Sequence, residues 1–253
     1  MHKCNIVLSG GGMRGSAHIG VLKGLFEKGL HPAGISAVSA GAFIGAFICD
    51  GFYPDEISDI IIKHAPELRL NLRHWKQGLM DFSGVREVLG KNLRHSRIED
   101  LQIPLHISAT DLNTGLQKFF TAGDIVDAVT ASSAIPLVLP PVKINGNTYA
   151  DGGISNNLPY EPFTGSVYQL IGIHVNPLSP YDEQAGWRQN LERTMLLMMY
   201  DKVMQGRDHC DLFIEPPGLA QFLMFDSDHH TELIDIAYKY TIESESLAHF
   251  IAS

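Results

Sequence analysis

The sequence predicts an α/β fold with a mostly parallel, mixed central sheet covered on both faces by helices. Three observations carry this. Short apolar strand segments alternate with helical stretches along most of the chain, and alternation favours parallel strands joined by crossover helices. Two strands run straight into Gly- or Ser-marked turns that open a helix. Hairpin signals at 111–115 and at Asn145-Gly146 add antiparallel neighbours, which makes the sheet mixed. With 253 residues, 45% hydrophobic and 19% charged, the chain can bury one continuous core, so a single domain over residues 1–253 is expected.

Residues 3–9 are short, apolar and β-compatible, and they enter the turn Gly10-Gly11-Gly12-Met13-Arg14-Gly15. Residues 16–28 then place Ile19, Leu22, Leu25 and Phe26 at helical spacing, and Gly29 is placed to stop the helix. A second strand at 35–38 is followed at once by Ser39-Ala40-Gly41 and an apolar helix ending near Asp50-Gly51. Residues 54–64 and 83–93 read as amphipathic helices, and 104–110 as a strand whose hairpin partner is 116–121. Residues 123–133 are expected to be helical. Pro136, Pro140 and Pro141 interrupt the chain beyond that helix, and the hairpin at 142–150 delivers it to Asp151-Gly152-Gly153. The remainder predicts a strand at 167–175, a helix from about 184 to 204, a short strand at 212–214 and a helix at 231–251. No internal repeat, low-complexity tract or linker is visible.

Composition excludes several classes. Nineteen Lys and Arg stand against 28 Asp and Glu, and a formal net charge of -9 without a basic stripe argues against nucleic acid as a partner. The three cysteines, Cys4, Cys49 and Cys210, show no CxxC spacing, so neither a disulfide framework nor a zinc site is implied, and reduced, buried thiols are expected. No metal is called for by any motif. No run approaches the ~20 apolar residues of a transmembrane helix, and glycines interrupt the first apolar stretch before a signal-peptide core could form. A cytoplasmic location is therefore expected, with only peripheral membrane contact left open.

Ligands on such sheets bind at the carboxyl ends of the strands, where the glycine loop and Ser39 both fall. Gly10, Gly12 and Gly15 satisfy GxGxxG, a weak signal alone. A dinucleotide site wants an acidic residue ~20 positions on, yet no Asp or Glu occurs between Glu27 and Asp50. A phosphate loop of the Walker kind fails too, since Ser16 follows Gly15. Cradling a phosphate and cradling a catalytic oxyanion need the same convergent amides at a helix N-terminus, and the loop alone does not separate them. Arg14 either neutralises developing charge or braces the loop against a carboxylate or carbonyl.

Ala37-Val38-Ser39-Ala40-Gly41 has the placement of a nucleophile elbow, Gly-X-Ser-X-Gly, with Ala37 where the first glycine is usual. An ordinary helix N-cap is the competing reading of Ser39. Asp151 is flanked by Gly152 and Gly153, which let another backbone or a substrate come close; a plain turn is the competing reading. None of the twelve His residues sits in a motif marking it as a catalytic base, His18, His174 and His229-His230 included.

Together these segments resemble the patatin-like phospholipase family: GGGMRG, ISAVSAGA from Ile35 to Ala42, TDLNTG from Thr110 to Gly115, SSAIP from Ser132 to Pro136, and DGGISNNLP from Asp151 to Pro159. The similarity covers residues 5–160, and 161–253 would complete the fold. The resemblance implies a three-layer α/β/α sandwich and a metal-independent lipid acyl hydrolase acting on phospholipid or lysophospholipid esters through an acyl-enzyme, with no cofactor. It implies Ser39 as nucleophile, Asp151 as general base, and Gly11 and Gly12, extended to Met13, as oxyanion donors, with Arg14 the basic residue of the loop. A lipid-binding protein of the same fold without turnover is the rival reading, supported by Ala37. Two apolar stretches, 137–139 and 221–225, are candidates either for lipid contact or for core.

Overall fold

The computed structural model describes residues 2–68, 81–136, 138–225 and 228–252. Its strands are β1 (His2–Leu8), β2 (Leu30–Val38), β3 (Leu105–Asp111), β4 (Gln117–Phe120), β5 (Val142–Ile144), β6 (Asn147–Asp151), β7 (Leu170–Ile173) and β8 (Leu212–Ile214). Its α-helices are α1 (Ala17–Glu27), α2 (Ala40–Cys49), α3 (Pro54–Lys63), α4 (Ala65–Leu68), α5 (Ser83–Asn92), α6 (Ile125–Ser132), α7 (Trp187–Asp208), α8 (His230–Ile242) and α9 (Glu245–Ala252). The strands form one sheet in the order β5-β6-β3-β2-β1-β7-β8, with β4 on the remaining edge of β3. The pairs β1/β2, β1/β7, β2/β3 and β7/β8 are parallel, whereas β3/β4, β3/β6 and β5/β6 are antiparallel.

The two faces follow from the period of 2 along β1. Ile6 and Leu8 enter the main core with residues of α1, α2, α3, α5, α6 and α8, while Val7 enters a second cluster with Leu158, Leu170 and Val203 of α7. Helices thus cover both faces, and the three-layer α/β/α sandwich is the observed architecture. Fully buried Leu and Ile side chains such as Leu22, Leu25, Ile35 and Ile44 each contribute about 1.5–3 kcal/mol. Among the described residues no helix is long and apolar enough to cross a membrane.

Four elements depart furthest from the sequence expectation. β2 begins at Leu30 rather than 35, in spite of Pro32, because β3 pairs only with its second half and the Pro32 region is an edge where a missing N–H costs nothing. β7 is shorter than 167–175, and Val167 is almost fully exposed. α7 runs from Trp187 to Asp208, later than 184–204 at both ends. The helix expected at 231–251 is two helices, since Ser244 leaves the first and its Oγ accepts the Leu247 N–H to start the second.

The positioning of the site lies in the register of β3. On one edge of β3, Ser108 stands opposite Val38 at the end of β2, and the next residue, Ala109, stands opposite Asp151 at the end of β6. β4 occupies the other edge. The ends of β2 and β6 therefore meet along one strand edge, bringing the residue after Val38 to Asp151.

Candidate active site at Ser39 and Asp151

Ser39 has φ 53° and ψ -124°, a backbone state that costs a non-glycine residue about 1–3 kcal/mol. The chain must reverse sharply there, because Gly41 packs so tightly on β1 that a Cβ would lie 2.5 Å from the Ser9 carbonyl oxygen. Although Ser39 occupies the N-cap position of α2, its side chain makes no cap bond. The hydroxyl lies instead close enough to the Asp151 carboxyl to favour its ionised form. The Ser39 N–H donates to Ser132 Oγ at 2.7 Å, and the Ser132 hydroxyl donates to the Ser108 carbonyl at 2.6 Å. Ala37, the departure from the elbow pattern, is fully buried, and its methyl faces Gly45, where a Cβ would meet it at an ordinary 3.5 Å. The second small residue of the pair is supplied by the helix, so the elbow closes without the first glycine.

Asp151 is buried, and its Oδ1 accepts the Gly153 N–H at 2.7 Å. Its own N–H donates to the Ala134 carbonyl at 2.9 Å. Burial raises the carboxyl from its ordinary 3.8 to about 6, against the lowering effect of the Ser39 hydroxyl and the Gly153 N–H. The Asp-Gly-Gly turn is real, opening a short 3₁₀ segment at Gly152–Ile154, but one carboxylate serves both the turn and Ser39. Gly152 is required where it is, because a Cβ would collide with the Ser108 carbonyl.

The glycine loop is fastened from several sides. Gly10 N–H donates to Asn157 Oδ1 at 3.1 Å, and its carbonyl accepts from Asn176 Nδ2 at 2.7 Å. The loop then turns through Gly12 at φ 55°, with the Met224 carbonyl where a Cβ would be. Among the described residues, no group accepts from the Gly11 or Gly12 N–H. Met13 differs: its N–H donates to the Met224 carbonyl at 2.7 Å, so it is not free to serve as the third oxyanion donor in this arrangement. For Arg14 the structure selects bracing. Its Nε donates to the Phe222 carbonyl at 2.8 Å, joined by Nη2, which also pairs with Glu192 of α7 at 2.8 Å. Glu192 in turn accepts the Met224 N–H at 2.8 Å. Gly15 packs against Ala40 of α2, joining loop and elbow.

In front of Ser39 and Gly12 opens a cavity of about 130 Å³, partly continuous with solvent, walled by Phe43, Ile44, Ile61, Phe82, Val85 and Ile135. Phe222 and Met224 are buried, which gives the core reading for them, while Phe225 stands half-exposed at the cavity edge. Leu139 also lines the cavity, and Leu137 lies outside the described residues. His18 Nε2–H donates to the Ser9 carbonyl at 2.8 Å and is pushed down to about 4 by burial; His174 pairs with Glu215 at 2.6 Å; His230 bonds Ser16 at 2.7 Å. Asp151 has none of them as a partner. Among the described residues no group of three or more His, Cys, Asp or Glu is arranged to hold a metal ion.

Ser132, Asn157, Asn176, Glu192 and Met224 were given no site role from sequence. Ser132 and Asn157 lie inside the SSAIP and DGGISNNLP segments, where a signal existed; Asn176, Glu192 and Met224 lie in the last third, which has none.

A serine in a strained strand-to-helix turn at the carboxyl edge of a mixed sheet, next to a buried carboxylate and a glycine loop, defines an α/β protein of the elbow-serine type. A family model for the patatin-like phospholipases matches residues 6–164, and the chain belongs to that family. It is 32% identical over 178 residues to an uncharacterized NTE family protein of Mycobacterium tuberculosis, a match covering 68% of this chain and 48% of that one. Over 201 residues it is 31% identical to neuropathy target esterase of Drosophila melanogaster, covering 72% of this chain and 14% of the other. The chain thus spans about half the length, or less, of these relatives. In fold it is similar to VipD of Legionella pneumophila, with a TM-score of 0.55 at 14% identity over 98% of this chain and 67% of that one.

Proposed function

We propose that the chain is a serine acyl hydrolase that cleaves carboxylic esters of lipids through an acyl-enzyme, with Ser39 as nucleophile and Asp151 as general base. One observation carries the reading. The Ser39 hydroxyl, held in a strained turn at the wall of an apolar cavity, stands beside a buried carboxyl whose proton affinity burial has raised to about 6. An ordinary carboxylate is a poor base for an alcohol, and desolvation narrows that gap while leaving Asp151 ionised at neutral pH.

With an acyl chain along the apolar wall, Asp151 takes the Ser39 proton as Oγ attacks the ester carbonyl. The oxyanion meets the Gly11 and Gly12 amides, each such donor being worth on the order of 3 kcal/mol to the transition state. Asp151 then passes the proton to the leaving oxygen, and the alcohol departs. Water, deprotonated by the same carboxylate, releases the acyl group and restores Ser39. Family membership and the esterase named among the relatives support an ester substrate, and the cavity wall supports an apolar acyl chain.

The test is a panel of esters graded by acyl length, run on wild type and Ser39→Ala, with fluorophosphonate labelling alongside. We expect wild type to turn over and label, and Ser39→Ala to do neither while melting near wild type. Labelling distinguishes the binding-protein reading, in which Ser39 is unactivated. Wild-type turnover by folded Ser39→Ala would remove Ser39 as nucleophile.

A further inference from the structure

We infer that Ser132 is a positioning residue, and that the turn from Ser132 to Ala134 is a bracket fixing Ser39 and Asp151 relative to each other. The inference rests on the reading of these two residues as nucleophile and base. Ser132 is fully buried at the end of α6, and its hydroxyl has one proton, which it donates to the Ser108 carbonyl at 2.6 Å. The lone pairs left over face the Ser39 N–H, accepted at 2.7 Å. Two residues later the Ala134 carbonyl accepts the Asp151 N–H at 2.9 Å. One short segment thereby holds the backbone of the nucleophile by a side chain and the backbone of the base by a carbonyl.

The arrangement closes on β3. The Ser108 carbonyl that receives the Ser132 hydroxyl is also the group against which Gly152, next to Asp151, is packed. The strained φ of Ser39 has no local cause in an α-helix N-terminus; the Ser132 acceptor supplies a partner for an amide that would otherwise be buried unpaired. It also takes the Ser39 amide out of the set able to receive an oxyanion. Ser133 and Ile135 line the apolar cavity, so the bracket is continuous with the surface on which an acyl chain would lie.

Ser132→Ala removes the acceptor and leaves the cavity wall intact. We expect kcat on a short soluble ester to fall about 10²-fold per folded molecule, the loss typical of a small misplacement of a reacting group, with KM near wild type. The acid limb of the pH profile should move upward, because the lowering effect of the Ser39 hydroxyl on the Asp151 carboxyl weakens. The carboxyl faces the Ser39 hydroxyl and the Gly153 amide, with uncharged Met199 of α7 beside Gly153, and no charged group contributes to its shift. A structural role alone would scale the profile by the folded fraction without moving the limb. Ser132→Cys, with its weak sulfur acceptor, gives the same two readouts should the alanine variant aggregate. Unchanged kcat per folded molecule with an unmoved limb overturns the bracket. Activity surviving in Ser39→Ala would instead overturn the underlying reading, so the two failures are separable.

Discussion

Ser39 and Asp151 each occupy a state that their side chains alone disfavour, one in its backbone and one in its charge. For Asp151 the consequence is a pH-dependent stability of unusual sign for a carboxylate. Its folded value of about 6 lies above the ordinary 3.8, so the native state binds the proton more tightly than the unfolded chain does. Below about 4 the group costs nothing; as pH rises through 6 the full cost of a buried carboxylate appears, on the order of 3 kcal/mol. Asp151→Asn is expected to lower turnover by roughly 10²–10⁴-fold, and to gain in melting temperature over wild type by more at pH 8 than at pH 4. Paired pH–rate profiles and thermal melts check both, and a gain independent of pH would mean that Asp151 is not the ionising group. At this scale the sequence singled out Ser39, Asp151 and the two loop glycines, since each sits in a short local motif, and the structure places Ser39 and Asp151 at neighbouring strand ends. It misplaced Met13, because the carbonyl that occupies its N–H belongs to Met224, far along the chain and in no motif.

At the scale of elements, the glycine loop, α7 and the segment 222–224 are joined by Arg14 and Glu192. Both side chains are almost wholly buried. Burial lowers the Arg14 guanidinium and raises the Glu192 carboxyl, each against the pull of the other. Removing one member of such a pair leaves an uncompensated charge, a loss of about 3–5 kcal/mol. Arg14→Met should therefore destabilise strongly at pH 8 and less at pH 5, where the stranded Glu192 can take a proton, and Arg14→Met with Glu192→Met should recover much of the loss. Urea unfolding at the two pH values measures this; equal destabilisation at both would place the cost in packing alone. The elements themselves were legible where periodicity and capping agree, as in α1 ahead of Gly29 and α2 ahead of Gly51. Less legible were β2, lengthened by pairing with β1, and the break between α8 and α9, which depends on one serine hydroxyl.

For the whole molecule, net charge decides how a lipid surface would be met. At -9 the chain is repelled by anionic bilayers over the Debye length, which shrinks from ~30 Å at 0.01 M salt to ~8 Å at 0.15 M. Hydrolysis of a vesicle ester should accordingly be faster on zwitterionic than on anionic vesicles at low salt, with the gap closing as salt is added. A rate on anionic vesicles that falls steeply with salt would reveal a basic docking face and refute this. The alternation of strands and helices foretold the mixed sheet, but nothing in residues 161–253 announced that α7 covers the second face or reaches the glycine loop through Glu192. Those contacts depend on tertiary packing between distant segments, which leaves no local pattern in sequence.

The shared edge of β3 has a consequence in time as well as in space. Ser39 arrives there on β2 and Asp151 on β6, and each docking closes a long loop before the two side chains can meet. A partly folded chain can carry the strained turn, or the buried carboxyl, without carrying both in register. On the proposed reading of Ser39, its reactivity is then a property of the completed sheet, and a chain in which β2 or β6 has not docked on β3 holds a serine no more aggressive than any other.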